Sequence, residues 1–507
     1  MKKIKKILVS VYNKSTISTL IKLLDAYDVE IISTGGTKKE LEKNGVKVTS
    51  VESLTEYPSI LGGRVKTLHP KIFGGILNRV NNEQDDEDLK KLKIGQIDMV
   101  IVDLYPFQET VEAGKNHKEI IEKIDIGGVS LIRAAAKNYN NVLVVPSLID
   151  LNSAIDLIVS KNGCTEINDR LIFAQKAFNR TLSYESEIAQ YFNHDSNDRI
   201  SRKFNQNIQI SKQLRYGENP HQEGIYYGEL DKLFDQLNGK ELSYNNLLDI
   251  DAAVNLIDEF NQPSFGILKH NNACGFASNN DLNKAWEKAL AGDPISAFGG
   301  VIITNKHLSI DVAKNINELF FEVLIAPSFD NSAIELLKIK KNRIILKKKN
   351  ANLGRMSFRT VLNGVLCQEK DLITDQNNIN VVSNLNVSDT QMNDLIFASK
   401  ICKHTKSNAI VLAKDNQLLA SGCGQTSRVD ALKQAILKAK HFGFSLNNSV
   451  MASDAFFPFP DCVEIAEKEG INAVIQPGGS KNDQLSIDYC NENDIAMIFT
   501  GNRHFKH

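Results

Sequence analysis

The chain has 507 residues, enough for three or so units at roughly 100–200 residues each, and its 42 % hydrophobic and 24 % charged residues exclude wholesale disorder. Lysine and arginine total 60 against 61 acidic residues, a net charge of -1, so the basic surplus of a duplex-binding protein is missing. Seven cysteines, an odd number without a Cys-x-x-Cys pair, argue against a disulfide scaffold and a ribbon-type zinc site and suit a reducing cytoplasm.

Met1-Lys-Lys-Ile-Lys-Lys leads into Ile7–Tyr12, an apolar stretch too short for a signal peptide. No run reaches the roughly 18 apolar residues of a membrane helix. The expectation is a soluble cytoplasmic protein. Ile7–Tyr12, Val29–Thr34, Ile97–Leu104 and Asn141–Val145 read as strands that are apolar throughout, as in a parallel sheet covered on both faces. Between the first two, Ile17, Leu20, Ile21 and Leu24 follow helical spacing. Such alternation predicts a doubly wound α/β unit with ligands at the carboxyl ends of its strands. A long helix is predicted from Leu171 to Phe192, and the polar stretch 193–207 reads as a linker.

Beyond it, glycine-rich loops precede helices near Asp281 and Asp430. The offset of 149 shared by Cys274/Cys423 and Asp281/Asp430 suggests two units of similar build. The lysine-rich stretch 338–349 reads as a solvated connection rather than a nucleic-acid site.

Several segments have the composition of ligand sites. Ser33-Thr34-Gly35-Gly36-Thr37 lies between a strand and a helix, either as a phosphate cradle or as an ordinary turn. Gly62-Gly63-Arg64-Val65-Lys66-Thr67-Leu68-His69-Pro70 concentrates cations and suits an anionic ligand. Asp125 precedes a helix running to Lys137, as an N-cap or as a ligand. A regular helix separates the two by on the order of 18 Å, at opposite ends of a nucleotide-sized ligand or in different sites. Lys269 and His270 would point to opposite faces of a strand but converge on a loop, where they suit general-base chemistry; a surface lysine beside a core histidine is the alternative. His221-Gln-Glu223 matches half of a zinc-deaminase signature, but the Pro-Cys-x-x-Cys half is absent, which argues against metal-activated water. Arg428 follows another glycine-rich loop and is placed for anion contact. The segments 453–461 and 476–480 combine aromatics with a flexible loop that suits a flat heterocycle.

Together these segments closely resemble the bifunctional purine-biosynthesis enzymes that join phosphoribosylaminoimidazolecarboxamide (AICAR) formyltransferase to inosine monophosphate (IMP) cyclohydrolase. The resemblance runs almost end to end. It rests on Ser33–Thr37, Arg64–Pro70, Leu104-Tyr-Pro-Phe107, Asp125-Ile-Gly-Gly128 and Arg133-Ala-Ala-Ala-Lys-Asn138, then on Arg215-Tyr-Gly-Glu-Asn-Pro-His-Gln222, Leu242-Ser-Tyr-Asn-Asn246, Lys269-His270, Asp293–Gly300, Lys406-Ser-Asn408 and Arg503-His-Phe-Lys-His507. It implies a methylglyoxal-synthase-like α/β domain over 1–195, for ring closure. It further implies a formyltransferase region over 205–507, built from two cytidine-deaminase-like subdomains without zinc. The formyl donor would be 10-formyltetrahydrofolate, with no catalytic metal. The assembly would be a homodimer with transformylase sites at the subunit interface, binding neither nucleic acid nor membrane.

By the same resemblance His270 accepts the proton of the attacking amine, Lys269 stabilises the oxyanion and Asn408 positions substrate. Arg215, Tyr216, Gly299, Arg428, Phe456 and Arg503 would grip the ribonucleotide, and Val429, Asp461, Gly478 and Gly479 the folate. For ring closure, Lys137 would move the proton, with Lys66, Tyr105 and Asp125 around the base. Tyr12, Asn13, Lys14, Thr34, Gly35, Gly36, Thr37, Arg64, Val65, Thr67, Val102, Asp103 and Ile126 would bind substrate. The chain departs from the family pattern at Ala273, commonly a proline that would stiffen the His270 loop, at His404, often tyrosine, and at Tyr12, often serine. A sensor that binds purine intermediates without turnover is the competing reading, and retention of Lys137, Lys269 and His270 counts against it. An enzyme with one active and one structural half is a further alternative.

Overall fold

The computed structural model describes residues 1–15, 20, 27–194, 204, 206, 208, 210–351, 353–375 and 379–507. Two compact units divide the chain, Met1–Asn207 and Ile208–His507. In the first, five strands run parallel in the order Val48–Ser50, Glu30–Ser33, Lys6–Val11, Met99–Asp103, Leu143–Val145. Four of them fall within two residues of the expected positions. Val48–Ser50 is a three-residue, half-buried edge strand with no apolar run to announce it. Ile7, Leu8, Val100, Ile101, Leu143 and Val144 are almost fully buried, because helices cover both faces of a parallel sheet. Of the predicted first helix, Leu20 is helical and buried, while Ile17, Ile21 and Leu24 lie outside the described residues, as does most of the 193–207 stretch. The long helix spans Ile167–His194 and buries Phe173, Ala177 and Tyr184.

The second unit contains, among the described residues, a twelve-stranded sheet that repeats one pattern twice. From the middle outward, one half runs Asn272–Ser278, Ser264–Lys269, Val301–Thr304, Val323–Ala326, Ile344–Lys348. The other runs Gln417–Gly422, Ile410–Lys414, Ser449–Ser453, Ile471–Gln476, Ala496–Phe499. Each half opens with an antiparallel hairpin and continues with parallel strands, and the halves join where Ala277 pairs with Gln417. A helix precedes each hairpin, Tyr244–Ile257 in one half and Asp389–Lys403 in the other.

Duplication therefore holds, but the offset of 149 does not. Asp281 caps the helix Leu282–Gly292, and its counterpart is Ser427, 146 positions on, which caps Arg428–His441; Asp430 lies inside that helix. The hairpin registers give the correspondence: Ile267 pairs with Gly275 and Leu412 with Ala420, around turns at 270–271 and 415–416, an offset of 145. A Cβ on Gly275 would overlap the carbonyl of Ala289, and one on Gly422 that of Ala431, so each half seats a helix directly on hairpin backbone. A further correction concerns 338–349. Ile344–Lys348 is a sheet strand with Ile344, Ile345 and Leu346 fully buried, so the lysines flank a core strand instead of forming a solvated connection.

All seven cysteines are free thiols, and among the described residues no helix is long and apolar enough to cross a membrane. The C-terminal tail is fastened by His504, whose Nδ1 lies 2.6 Å from Asp371 Oδ2 and whose Nε2 lies 3.1 Å from Asp375 Oδ1. Burial works against the imidazolium, but the two carboxylates prevail and push the His504 pKa up to about 9. A histidine raised in the folded state contributes stability fully present below its unfolded pKa near 6.5 and lost as pH rises through about 9, roughly 3 kcal/mol here. Trp286, the chain's single tryptophan, is buried in this unit and reports its unfolding. Denaturant midpoints read from Trp286 fluorescence are expected to fall between about pH 6.5 and pH 9 in the parent protein. In His504→Leu that fall should largely disappear; an equal fall in both proteins refutes the clamp.

Candidate active sites

In the first unit, the loops at the carboxyl ends of the parallel strands carry the candidate residues. Lys14 Nζ donates to Thr37 Oγ1 at 3.0 Å and also to the carbonyl of Val11, while the Thr37 hydroxyl donates to the same carbonyl at 3.1 Å. Thr37 is thus buried and occupied in joining strand to helix. Thr34 stands at the N-cap of the helix Gly35–Lys43 without capping it through its side chain, and nothing fills the space a Gly35 Cβ would occupy. Asn13 N–H donates to Asp103 Oδ2 at 2.9 Å. Burial pushes Lys14 down and Asp103 up; the attraction between them opposes both shifts, and Lys66 depresses Lys14 further.

Asp125 has the same character. Burial raises its carboxyl, against the pull of the Gly128 and Tyr105 N–H groups and of Lys66. Its Oδ1 accepts from Gly128 N at 2.7 Å, so it serves the helix start while remaining beside Lys66 and Tyr105. Positive φ at Gly62 and Gly63 turns the chain, and Lys66 packs so tightly on Gly63 that a Cβ there would clash with its Cε. Thr67 is buried against Gly127. Tyr12 and Tyr105 meet edge to face at 5.4 Å, with Lys123 Nζ over both rings. Val102 is buried in the central sheet, whereas Ile126 is exposed beside Asp125.

Arg64 pairs with Glu122. Lys137 is exposed at the far end of the helix Gly127–Lys137, about 16 Å along its axis from Asp125's end.

In the second unit, Lys269 ends a strand and pairs with Asn272, leaving His270 and Asn271 as a two-residue hairpin turn. Both have left-handed φ, 54° and 64°, as a tight turn of this kind requires. Lys269 Nζ donates to Phe298 O at 2.9 Å, next to Gly299, while His270 stands exposed at the tip. Asn272 Oδ1 accepts from Lys406 N at 3.1 Å and ties the turn to the Asn408 segment. Asn408 Oδ1 accepts from Arg428 Nη2 at 3.0 Å; the same nitrogen reaches Asp454 Oδ1 at 2.9 Å, and Nη1 the carbonyl of Phe456 at 3.2 Å. Arg428 is thereby largely buried and bonded within the protein.

Gln476 Oε1 accepts from the N–H groups of Phe457 and Gly478, joining the aromatic segment to the Gly478-Gly479 loop, whose glycines have φ of 70° and 98°. Asp461 begins the helix Asp461–Lys468 and Val429 flanks Arg428. In the tail, Lys506 N–H donates to Ser407 Oγ and its carbonyl accepts from Ser407 N–H, while Arg503 lies over the Phe505 ring at 4.4 Å. Arg215 lies over Tyr216 at 4.8 Å, exposed in its loop. The two family departures here are structural: Ala273 is buried at a register shift of the hairpin, and His404 pairs with Glu259 at 3.0 Å.

Two α/β units, each with its own loop cluster of cations, carboxylates and aromatic rings, define a two-centre α/β enzyme. A model of the AICARFT/IMPCHase bienzyme matches residues 135–438, and a model of MGS-like domains matches residues 16–130. The chain is 57 % identical to the bifunctional purine biosynthesis protein PurH of Bacteroides thetaiotaomicron, over 100 % of this chain and 99 % of that one. It is 44 % identical to PurH of Caldicellulosiruptor bescii, over 99 % and 100 %, and 45 % identical to PurH of Aquifex aeolicus, over 99 % of each chain. The chain belongs to the AICARFT/IMPCHase bienzyme family: it is a bifunctional formyltransferase and cyclohydrolase of the last two steps of purine biosynthesis.

Sequence reasoning missed Tyr184, which lies about sixty residues from the segment it serves. Its hydroxyl accepts from Asp125 N–H at 2.9 Å and donates to Lys123 O at 2.6 Å, from a ring packed on Phe107. Tyr184→Phe keeps the ring but strands both backbone groups. It is expected to destabilise the first unit by roughly 1–3 kcal/mol and to slow ring closure. Calorimetry and a ring-closure assay check this; unchanged values for both would show that Tyr184 does not hold the Asp125 turn.

Proposed function

We propose that Ile208–His507 transfers a formyl group from 10-formyltetrahydrofolate to the 5-amino group of AICAR, and that Met1–Asn207 closes the product to IMP. In the first reaction the amine nitrogen attacks the formyl carbon and an oxyanion forms. The bond to the folate nitrogen then breaks. The amine is a weak nucleophile because the ring withdraws its lone pair, so proton removal in the transition state counts heavily. His270 takes that proton, Lys269 stabilises the oxyanion and Asn408 orients the substrate. The observation that carries this reading is the hairpin tip that holds Lys269 and His270 side by side, hydrogen-bonded to the Lys406–Asn408 segment. Arg215, Tyr216, Gly299, Arg428, Phe456 and Arg503 grip the ribonucleotide; Val429, Asp461, Gly478 and Gly479 form the folate side.

Ring closure is intramolecular, and proximity supplies much of its rate. The carboxamide nitrogen attacks the formyl carbon already beside it, and water leaves. Asp125, Lys66 and Tyr105 handle the protons, a role that suits a carboxyl raised by burial beside a cation. Asn13, Lys14, the Thr34–Thr37 turn and the Arg64–Thr67 segment hold phosphate and ribose, with Arg64 exchanging Glu122 for the ligand. Lys137, assigned the proton by family resemblance, acts from the other end of its helix and contributes less than Lys66.

The formyltransferase region is read as two cytidine-deaminase-like subdomains, a reading the duplicated sheet supports. The protein is read as a cytoplasmic homodimer whose formyl-transfer site is completed between subunits. The exposed apolar Leu362 and Leu366 of the hairpin Met356–Glu369 support such an assembly.

Assays of separate variants test the division of labour. His270→Ala is expected to lose formyl transfer and keep ring closure, and Lys66→Ala the reverse. Lys137→Ala should retain more ring closure than Lys66→Ala. A folded variant that loses both activities, or a Lys137→Ala more damaged than Lys66→Ala, overturns the corresponding assignment.

A further inference from the structure

Position 249 has no role in the reactions derived above, although it follows the Leu242–Asn246 motif. Asp249 lies half-buried on the helix Tyr244–Ile257, and its Oδ1 accepts from Asn271 N–H at 2.6 Å. The His270 N–H also bonds to this carboxylate. With its carboxamide turned to satisfy its neighbours, the Asn271 side chain donates to the same oxygen at 3.0 Å and to Leu248 O at 3.1 Å. One turn earlier on the same face, Asn245 Nδ2 donates to Glu218 O at 3.1 Å, in the loop that carries Arg215 and Tyr216.

The second half of the sheet builds the same bracket without the chemistry. Asp394, on the helix that precedes the other hairpin, accepts from Asp415 N–H at 2.9 Å and from Asn416 N–H at 2.7 Å. Asp415 and Asn416 have left-handed φ of 50° and 52° and occupy the place of His270 and Asn271. Two adjacent left-handed residues are unfavourable for side chains other than glycine, and each pair here is held by an aspartate from the preceding helix. The family's frequent proline is absent at Ala273, and the histidine turn is restrained by Asp249 together with Asn272, whose Nδ2 donates to His270 O at 2.9 Å.

We propose that Asp249 is a positioning residue for formyl transfer. Its carboxylate fixes the His270-Asn271 turn so that the imidazole meets the attacking amine, while Asn245 on the same helix face sets the ribonucleotide loop. The inference rests on the role given to His270, and Asp394 is its internal control, being the same bracket on a turn that bears no proton acceptor.

The test uses the full-length protein, with ring closure by the first unit as a loading control and Trp286 fluorescence as a measure of folding. Asp249→Ala is expected to lower kcat for formyl transfer by at least about tenfold, with KM for AICAR changed less than about threefold. Asp249→Asn, which keeps an acceptor oxygen, should recover most of kcat. Asp394→Ala should cost comparable stability and leave kcat within about twofold. Because Asp249 acts through His270, adding Asp249→Ala to His270→Ala should cause no further loss.

If Asp249→Ala does not fold, Asp249→Glu, which displaces the carboxylate by one methylene, replaces it with the same expectation. A normal kcat in the position 249 variant, equal kcat losses in the 249 and 394 variants, or additive loss in the double variant overturns the proposal. An active His270→Ala instead overturns the role of His270 itself, and so separates the two failures.

Discussion

Hydrogen bonds from loop and turn backbone to partly buried aspartates are the interaction on which both centres depend. Asp249 receives the N–H groups of the left-handed His270 turn, Asp125 those of Gly128 and Tyr105, and Asp103 that of Asn13; Asp394 repeats the bracket on a turn outside either centre. Each carboxylate is partly desolvated, so its pKa rises, and each N–H it accepts pulls the pKa back. The balance leaves these acidic groups fixed in place. A loop held only by apolar contact would not place an imidazole or an ammonium group within hydrogen-bond reach of a substrate atom.

The second centre shows how far one such fixture extends. The His270 turn is bonded through Asn272 to Lys406, Asn408 to Arg428, Arg428 to Asp454 and Phe456, and Asp454 through its carbonyl to the His504 N–H of the tail. Arg428 and Asp454 are both withdrawn from water, and removing either partner of such a pair commonly costs about 3–5 kcal/mol because the other is left buried and unpaired. The contacts of Arg428 make it the hub that orients Asn408 and the aromatic segment together. The tail adds Arg503 to the same region, through the His504 clamp and the Lys506–Ser407 backbone pairing.

The continuous apolar runs made the parallel strands of the first unit legible, since burial on both faces leaves a period-free signal. The candidate site motifs were conspicuous as residue types crowded into short segments. Other features were not. The edge strand Val48–Ser50 is too short and too polar to show a pattern, and Ile344–Lys348 was hidden by its lysines. The duplication was visible, but the shared cysteines and aspartates gave the wrong offset; the left-handed turns at 270–271 and 415–416 and the pairing around them mark equivalent backbone. Tyr184, Asp249 and His504 act across sequence separations of 59, 22 and 129–133 residues, and no local spacing encodes such partners.

The two-centre reading has one chain carry AICAR through formylation and ring closure at separate sites. Its most direct test follows the purified full-length protein with AICAR and 10-formyltetrahydrofolate and measures IMP against folate donor consumed. One IMP is expected for each formyl group transferred, together with closure of directly supplied formyl-AICAR without any folate. AICAR left unformylated, together with formyl-AICAR left open, would contradict it.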